Sequence, residues 1–289
     1  MLTVLAPAKL NLTLEVLGNR PDGYHDIRSV FQTINLCDSL RFQSSQDVTF
    51  KSDLPEWTAE KSLIARAVSL LQKTTGCSKG VTVEVGKRIP LTSGLGGDSS
   101  DAAATLRGLN KLWKLELSEN RLVDLAAQLG SDVIFFLYGG TALVEGRGEV
   151  VVPLTPLSHS WIVLIVPNVP RPPEKTGQLY NSLKTSHYTD GQITEKLAAK
   201  IREGREPSIL FNTFENVAFT YFATLSVYRS HITKMGAPNI HLAGSGPTLF
   251  SLLKDKAQAE DLYTRCQQQG METYLTETLA NPHPPIGNT

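Results

Sequence analysis

Short apolar runs separated by turn residues fill the first third of the chain, and this pattern predicts strands. Residues 4–16 are rich in Leu, Val and Thr and stop at Gly18-Asn19-Arg20-Pro21-Asp22-Gly23, which is loop chemistry. Residues 29–36 and 39–42 read as two further strands with a turn at Cys37-Asp38, and residues 81–85 as another. Helical spacing appears at 60–72, where Leu63, Ile64, Ala67, Leu70 and Leu71 share one face. A glycine-rich loop then runs into Ser99-Ser100-Asp101 and an apolar stripe at Ala102, Leu106, Leu109 and Trp113, with Ser99 as the predicted N-cap. A second helix spans 119–129 on Leu122, Leu125, Ala126 and Leu129, with Gly130 at its C′ position. Ser131 is the predicted cap of a short third helix that begins at Asp132 and ends at Gly139-Gly140. Residues 141–144 and 149–152 resemble a hairpin around Gly146-Arg147-Gly148.

The second half is sparser. Residues 153–160 read as a hinge, 161–166 as a buried strand, 167–173 as a proline-rich loop and 193–201 as a helix. Residues 239–253 read as strand, loop and strand around Gly244-Ser245-Gly246-Pro247, and 281–289 as a frayed tail. The expected division is therefore 1–153, 154–280 and the tail.

Composition narrows the function. The 289 residues are 41% hydrophobic, enough for a sizeable core. Lys plus Arg number 28 and Asp plus Glu number 28, so the net charge is near zero and no basic coat for nucleic acid is expected. An anion site has to be built locally. Cys37, Cys77 and Cys266 lack CxxC spacing, which fits a reducing compartment and small core residues. The first residues lack a basic region followed by a long apolar one, and the longest apolar stretch, 133–144, is broken by two glycines. The expectation is a soluble, cytoplasmic protein that binds neither membrane nor nucleic acid, as a monomer or weak homodimer.

The chemistry-bearing stretch is Pro90, Leu91, Thr92, Ser93, Gly94, Leu95, Gly96, Gly97, Asp98, Ser99, Ser100. Glycines let backbone N–H groups converge on a phosphate, and the helix that follows adds its partial positive charge. Ser99 and Ser100 add hydroxyl donors, and one of them, Ser100 in the first instance, is a candidate Mg²⁺ ligand. An ordinary glycine-rich turn before a capped helix fits the composition equally well. The stretch is not a Walker A loop, because no Lys-Ser/Thr follows the glycines, and Ser99 stands where a dinucleotide fingerprint requires glycine. Without a loop lysine, positive charge has to come from elsewhere, and Lys9 is the candidate. Neither HExxH nor GxSxG occurs, which argues against zinc and serine hydrolases.

Residues 90–103 resemble the phosphate loop of the GHMP kinases, the superfamily of galactokinase, homoserine kinase and mevalonate kinase. Ala6-Pro7-Ala8-Lys9-Leu10-Asn11-Leu12, Arg20-Pro21-Asp22-Gly23-Tyr24-His25, Gly130-Ser131-Asp132-Val133 and Gly244-Ser245-Gly246-Pro247-Thr248 strengthen the likeness. Within the superfamily they point to the branch that phosphorylates a cytidylyl methylerythritol. The likeness is dense over the first 150 or so residues and thin afterwards. It implies an α+β fold of two lobes, the N-terminal one like the second domain of ribosomal protein S5 and the C-terminal one like an α/β plait. It also implies ATP as co-substrate, Mg²⁺, and transfer of the γ-phosphoryl to an alcohol. Another substrate of the superfamily (mevalonate, homoserine or a sugar) and a non-catalytic, RNA-holding S5-like module are the alternatives.

By that resemblance Lys9 and Asp132 are the catalytic pair. Asp132 sits in the first turn of its predicted helix, where the dipole favours the ionised carboxylate. Lys9 would favour it further, leaving Asp132 to orient the attacking hydroxyl and accept its proton late. Asn11 lies two residues beyond Lys9 and so on the same side of a strand. Tyr24 and His25 are expected at the cytosine, with Tyr180 as the opposite face of an aromatic sandwich, and Phe31 and Arg147 as further substrate contacts. Three positions depart from the family pattern, one of them Ile134, which replaces a proline common after the Gly-Ser-Asp-Val run and should matter little. Asp98 stands where a small residue is usual, and a carboxylate there repels phosphate unless it points outward or helps hold the metal. Ser62 stands where an asparagine usually meets the adenine.

Overall fold

The structure, a computed structural model, describes residues 1–280 and 287–288. Its first 45 residues form two long antiparallel strands, β1 (Leu2–Asn19) and β2 (His25–Ser45). Every residue of β1 from Ala6 to Val16 is buried, so this strand is covered on both faces. Cys37-Asp38, expected as a turn, lies within β2. What breaks the pattern is a bulge: Pro7 pairs with Cys37 but Ala8 pairs with Ile34, so β2 carries two extra residues there.

β3 (Val48–Ser52), α1 (Leu63–Thr75) and β4 (Gly80–Gly86) form a crossover that leaves β3 parallel to β4. Then follow α2 (Gly97–Trp113), α3 (Glu119–Leu129), α4 (Ser131–Tyr138) and the hairpin β5 (Thr141–Gly146) and β6 (Val150–Pro153). The predicted stripe of α2 is fully buried, Ala102, Leu106, Leu109 and Trp113 all facing the sheet and α1. The cap differs from expectation. Gly96, at φ 76°, is the N-cap, and Ser99 already lies in the first turn. Gly130 has an extended backbone and caps the start of α4, which takes in Ser131.

The second half gives β7 (Trp161–Val166), α5 (Lys175–Ser182), α6 (Gln192–Arg202), β8 (Phe211–Asn212), α7 (Glu215–Tyr221) and α8 (Leu225–Lys234). It closes with β9 (His241–Leu242), β10 (Leu249–Leu253), α9 (Lys256–Gln268), β11 (Glu272–Glu277) and β12 (Gly287–Asn288). The first sheet runs β12-β1-β2-β4-β3, with β5 also on β2 and β8 parallel to β1; the second runs β11-β7-β10-β9. Most of the 281–289 stretch, read as a frayed tail, lies outside the described residues; Gly287 and Asn288 pair with Thr3 and Leu2.

Several apolar clusters join the two halves. Ala8, Leu10, Ile34 and Leu36 of the first sheet pack against Ile162, Leu164 and Phe250 of the second. Leu14, Val16 and Ile27 belong to the core around Phe214, Leu242 and Leu249. The segment read as a hinge is tied down. Leu157 N–H donates to Thr141 Oγ1 at 3.1 Å, Ser160 N–H to Thr278 Oγ1 at 3.0 Å, and both residues are buried. Among the described residues no helix is long and apolar enough to cross a membrane.

Candidate active site

A cleft of about 790 Å³ opens between the two halves, with Lys9 and Asn11 of β1 and the start of α2 on one wall and α5 and the 244–245 turn on the other. The backbone makes one side of it suited to an anion. Gly94 and Gly96 have φ of 90° and 76°, which glycine adopts without the penalty a Cβ brings. The first helical bond in α2 runs from Ser100 N–H to Gly96 O at 2.9 Å. The amides of Gly97, Asp98 and Ser99 therefore have no partner within the helix and carry its positive end. Space is equally tight. A Cβ on Gly94 would lie 2.3 Å from Ala243 O, and one on Gly96 would lie 2.9 Å from the Phe136 ring and 3.1 Å from Lys9 Cγ. Of residues 90–100, all but Leu95 and Ser100 line the cleft. Leu95 is wholly buried and acts through its backbone, its carbonyl accepting from Lys9 N–H at 2.9 Å.

Asp98 does not stand among the amides as a free charge. Its Oδ1 accepts from Leu63 N–H and Ser62 Oγ, each at 3.0 Å, so it caps the N-terminus of α1 across from its own helix. Ser62 is the N-cap of α1, its Oγ accepting from Ile64 N–H at 3.1 Å. The departures at Asp98 and Ser62 thus join two helix starts.

Lys9 and Asp132, 123 positions apart in the chain, meet in this cleft. Lys9 Nζ lies 3.5 Å from Asp132 Oδ2, donates to Asn11 Oδ1 at 2.7 Å and sits 4.4 Å from the Phe31 ring centroid. Lys9 and Asn11 are 5% and 2% exposed, so neither is a solvated strand residue. Asn11 is held in turn by its Nδ2, which donates to Ser29 Oγ at 3.0 Å. Phe31 is the buried floor under the amine, braced edge-on by Phe135. Gly148 lets the β5–β6 turn approach α4 closely: a Cβ there would lie 3.1 Å from Ser131 Cβ. Arg147 thereby faces the cleft.

The aromatic residues expected at the cytosine lie near one another, with His25 against Tyr180. His25 stacks directly on Tyr180, with centroids 4.5 Å apart and planes at 24°, which leaves no gap for a base between them. Phe214 packs edge-on against Tyr180 at 4.8 Å. Tyr24 is exposed and lies under Arg147, whose guanidinium carbon is 5.0 Å from its ring centroid. Burial holds the His25 imidazole below its ordinary pKa, and burial followed by the Asp132 charge pushes the Tyr180 phenol well up.

Two functional-looking residues were missed in the sequence. Lys175, the first residue of α5, is buried beside the 244–245 turn. Asn212 donates through Nδ2 to Leu242 O at 2.9 Å and Gly244 O at 2.8 Å, fixing that turn to β8. Neither lies in a motif; Lys175 follows Pro172-Pro173-Glu174 and reads as a solvated loop charge.

Known proteins bear on this geometry. The family model "GHMP kinases N terminal domain" matches residues 62–140, a span that holds the glycine loop and Asp132. A 4-diphosphocytidyl-2-C-methyl-D-erythritol kinase from Dehalococcoides mccartyi is 51% identical over 280 residues, covering 96% of this chain and 99% of the relative. The chain belongs to the 4-diphosphocytidyl-2-C-methyl-D-erythritol kinase family, within the GHMP kinases. A member from Shouchella clausii is 36% identical, covering 96% of this chain and 93% of its own. A crystal structure of a 4-(cytidine 5'-diphospho)-2C-methyl-D-erythritol kinase superposes with a TM-score of 0.81 at 31% identity, over 96% of this chain and 98% of that one. A homoserine kinase from Cytophaga hutchinsonii superposes at 0.70 with 19% identity, over 99% of this chain and 96% of that one, a likeness of fold alone.

Proposed function

We propose that the chain transfers the γ-phosphoryl group of ATP to the 2-hydroxyl of 4-diphosphocytidyl-2-C-methyl-D-erythritol. The observation that carries this reading is the meeting of Lys9 and Asp132 beside the open amides of α2. Phosphoryl transfer needs positioned charge more than covalent chemistry, and those amides cradle the triphosphate while Lys9 neutralises charge on the group in flight. Asp132 orients the acceptor hydroxyl. The 2-oxygen bonds to the γ-phosphorus as the bond to the β,γ-bridging oxygen breaks, ADP leaves, and the hydroxyl proton passes to Asp132. Lys9, 3.5 Å away, holds that carboxylate in place as the proton arrives.

Mg²⁺ suits this donor set. It favours few protein oxygens together with phosphates and water. The Asp132 carboxylate and Ser99 hydroxyl line the cleft, and Ser100 Oγ is buried without a hydrogen-bond partner. When bound, the ion neutralises charge on the phosphates. His25, Tyr24 and Tyr180 mark the cytidylyl end, where an imidazole kept neutral by burial offers one donor and one acceptor to a base edge. Trp57 and Ser62 line the cleft by the start of α1 and suit the adenine. Three free cysteines fit a cytoplasmic setting.

A coupled ADP-release assay with Mg²⁺ tests the reading. Turnover is expected with the cytidylyl methylerythritol and not with mevalonate or homoserine, and Asp132→Asn should lower kcat by about 10²- to 10⁴-fold. Equal turnover of mevalonate, or an Asp132→Asn enzyme at full rate, overturns it.

A further inference from the structure

Lys175 is 4% exposed, and its Nζ donates to Ser245 Oγ at 2.8 Å. Ser245 Oγ lies 2.8 Å from Thr176 Oγ1 in turn. Among the described residues no carboxylate lies within 4.0 Å of the amine. Its charged neighbours are cations. Burial, then Lys9 and Arg171, bring its pKa down to about 8. An ammonium buried without a counter-ion beside two like charges is unfavourable in the free protein, so this position is built for an anion that arrives from outside.

The surroundings say where that anion lies. Lys175, Thr176 and Ser245 line the same cleft as Lys9 and Gly94. A Cβ on Gly244 would lie 2.9 Å from Gly94 O and 3.5 Å from Lys9 Nζ, so the turn carrying Ser245 is pressed against both the glycine loop and the catalytic lysine. Asn212 pins the same turn from behind. Lys175 therefore stands across the cleft's phosphate end from Lys9, on a wall that belongs to the second half of the chain.

We propose that Lys175, steadied by Ser245, is a ligand for a phosphoryl oxygen in the cleft, a second cation that completes the charge cradle begun by Lys9 and α2. The proposal rests on the kinase reading for its ligands. Two sources supply the same chemistry: the γ-phosphate of the nucleotide and the diphosphate of the cytidylyl acceptor, since α5 also carries Tyr180 at the far end of that wall.

The test uses the full chain with Lys175→Met and Lys175→Arg, measuring Kd for ATP and ADP by calorimetry and KM for each substrate. Loss of a charged hydrogen bond to phosphate is expected to weaken one ligand about 10- to 100-fold in the Met variant, with most of the affinity restored by Arg. A rise in the ATP Kd well above that for ADP assigns the γ-phosphate. A rise in acceptor KM with ATP binding unchanged assigns the diphosphate. A folded Met variant that keeps ATP, ADP and acceptor within about twofold of the parent overturns the proposal. Should Lys175→Met fail to fold, Ser245→Ala removes only the anchor and is expected to weaken the same ligand; no change in any of the three overturns the proposal too. If the parent protein binds ATP but phosphorylates no acceptor, the kinase reading fails, while weaker ATP binding by Lys175→Met still supports the phosphate contact.

Discussion

Replacing Lys175 by Met should make the nucleotide-free protein more stable. The amine is buried with its pKa lowered from 10.5 to about 8, so the folded chain holds this proton less tightly than the unfolded chain does. That difference corresponds to about 3 kcal/mol of unfavourable free energy below pH 8, as an upper bound. Met fills a similar volume, and the Thr176 and Ser245 hydroxyls still have each other at 2.8 Å, so little is orphaned. Allowing for the lost bond to Ser245, the net gain is about 1–2 kcal/mol, or a rise in Tm of about 2–6 °C. The penalty is complete below about pH 8 and fades as the pH climbs towards 10.5, where the unfolded lysine also loses its proton. The advantage of the variant should shrink over that window. The groups facing the amine are Lys9 on β1, Arg171 ahead of α5, and the two hydroxyls, so among the described residues no carboxylate within ion-pair distance offsets the trend. Urea unfolding of both proteins without nucleotide, at about pH 7 and about pH 9.5, measures it. A Met variant less stable than the parent at neutral pH, or a difference that stays constant with pH, refutes the reasoning.

Three other substitutions probe the scaffold around the glycine loop. Lys87 Nζ reaches Asp38 and Asp101 at 2.5 and 2.8 Å, all three side chains buried; Lys87→Met leaves two carboxylates unpaired and should cost about 3–5 kcal/mol in chemical unfolding. Gly94→Ala forces a side chain into a φ of 90° and against Ala243 O, so the loop must shift, and KM for ATP should rise about tenfold or more in the ADP-release assay. Asp98→Ala leaves the Ser62 cap but removes the acceptor for Leu63 N–H at the start of α1, and should lower stability by about 1 kcal/mol in thermal melts, with Asp98→Asn recovering part of it.

Where local pattern decides structure, the sequence was legible: the 119–129 helix, the buried stripe of α2, the β5–β6 hairpin and the glycine loop all stand where spacing put them. Misreadings came from partners far off in the chain. Asp38 looked like a turn residue because an acid interrupting an apolar run is usually solvated. In the fold its Oδ1 accepts from Arg88 and Ile89 N–H at 2.6 and 2.8 Å while Lys87 pairs with its other oxygen. Ser99 looked like a cap because serine is a good one, yet a left-handed Gly96 starts the helix three residues earlier. The proposed site shows the same division. Lys9 and Asp132 were found through motifs, whereas Lys175 depends on Ser245 and Lys9 for its meaning, and no spacing rule links them. The stacking of His25 on Tyr180 depends on how α5 docks, and no pattern within the chain announces it.

β1 has a mechanical consequence. Its early residues Leu2, Val4 and Ala6 pack among the helices of the first half, and Leu14 and Val16 pack into the core of the second, with Lys9 and Asn11 between. One rigid beam passes through both bodies, and the 153–160 strap is fastened at Leu157 and Ser160. Swinging the two halves apart would bend β1 and break these bonds, which opposes a jaw-like opening. Ligand exchange is then expected past the turns and side chains at the rim, such as the Arg147 turn and the start of α5, and substitutions there should change release rates more than binding geometry.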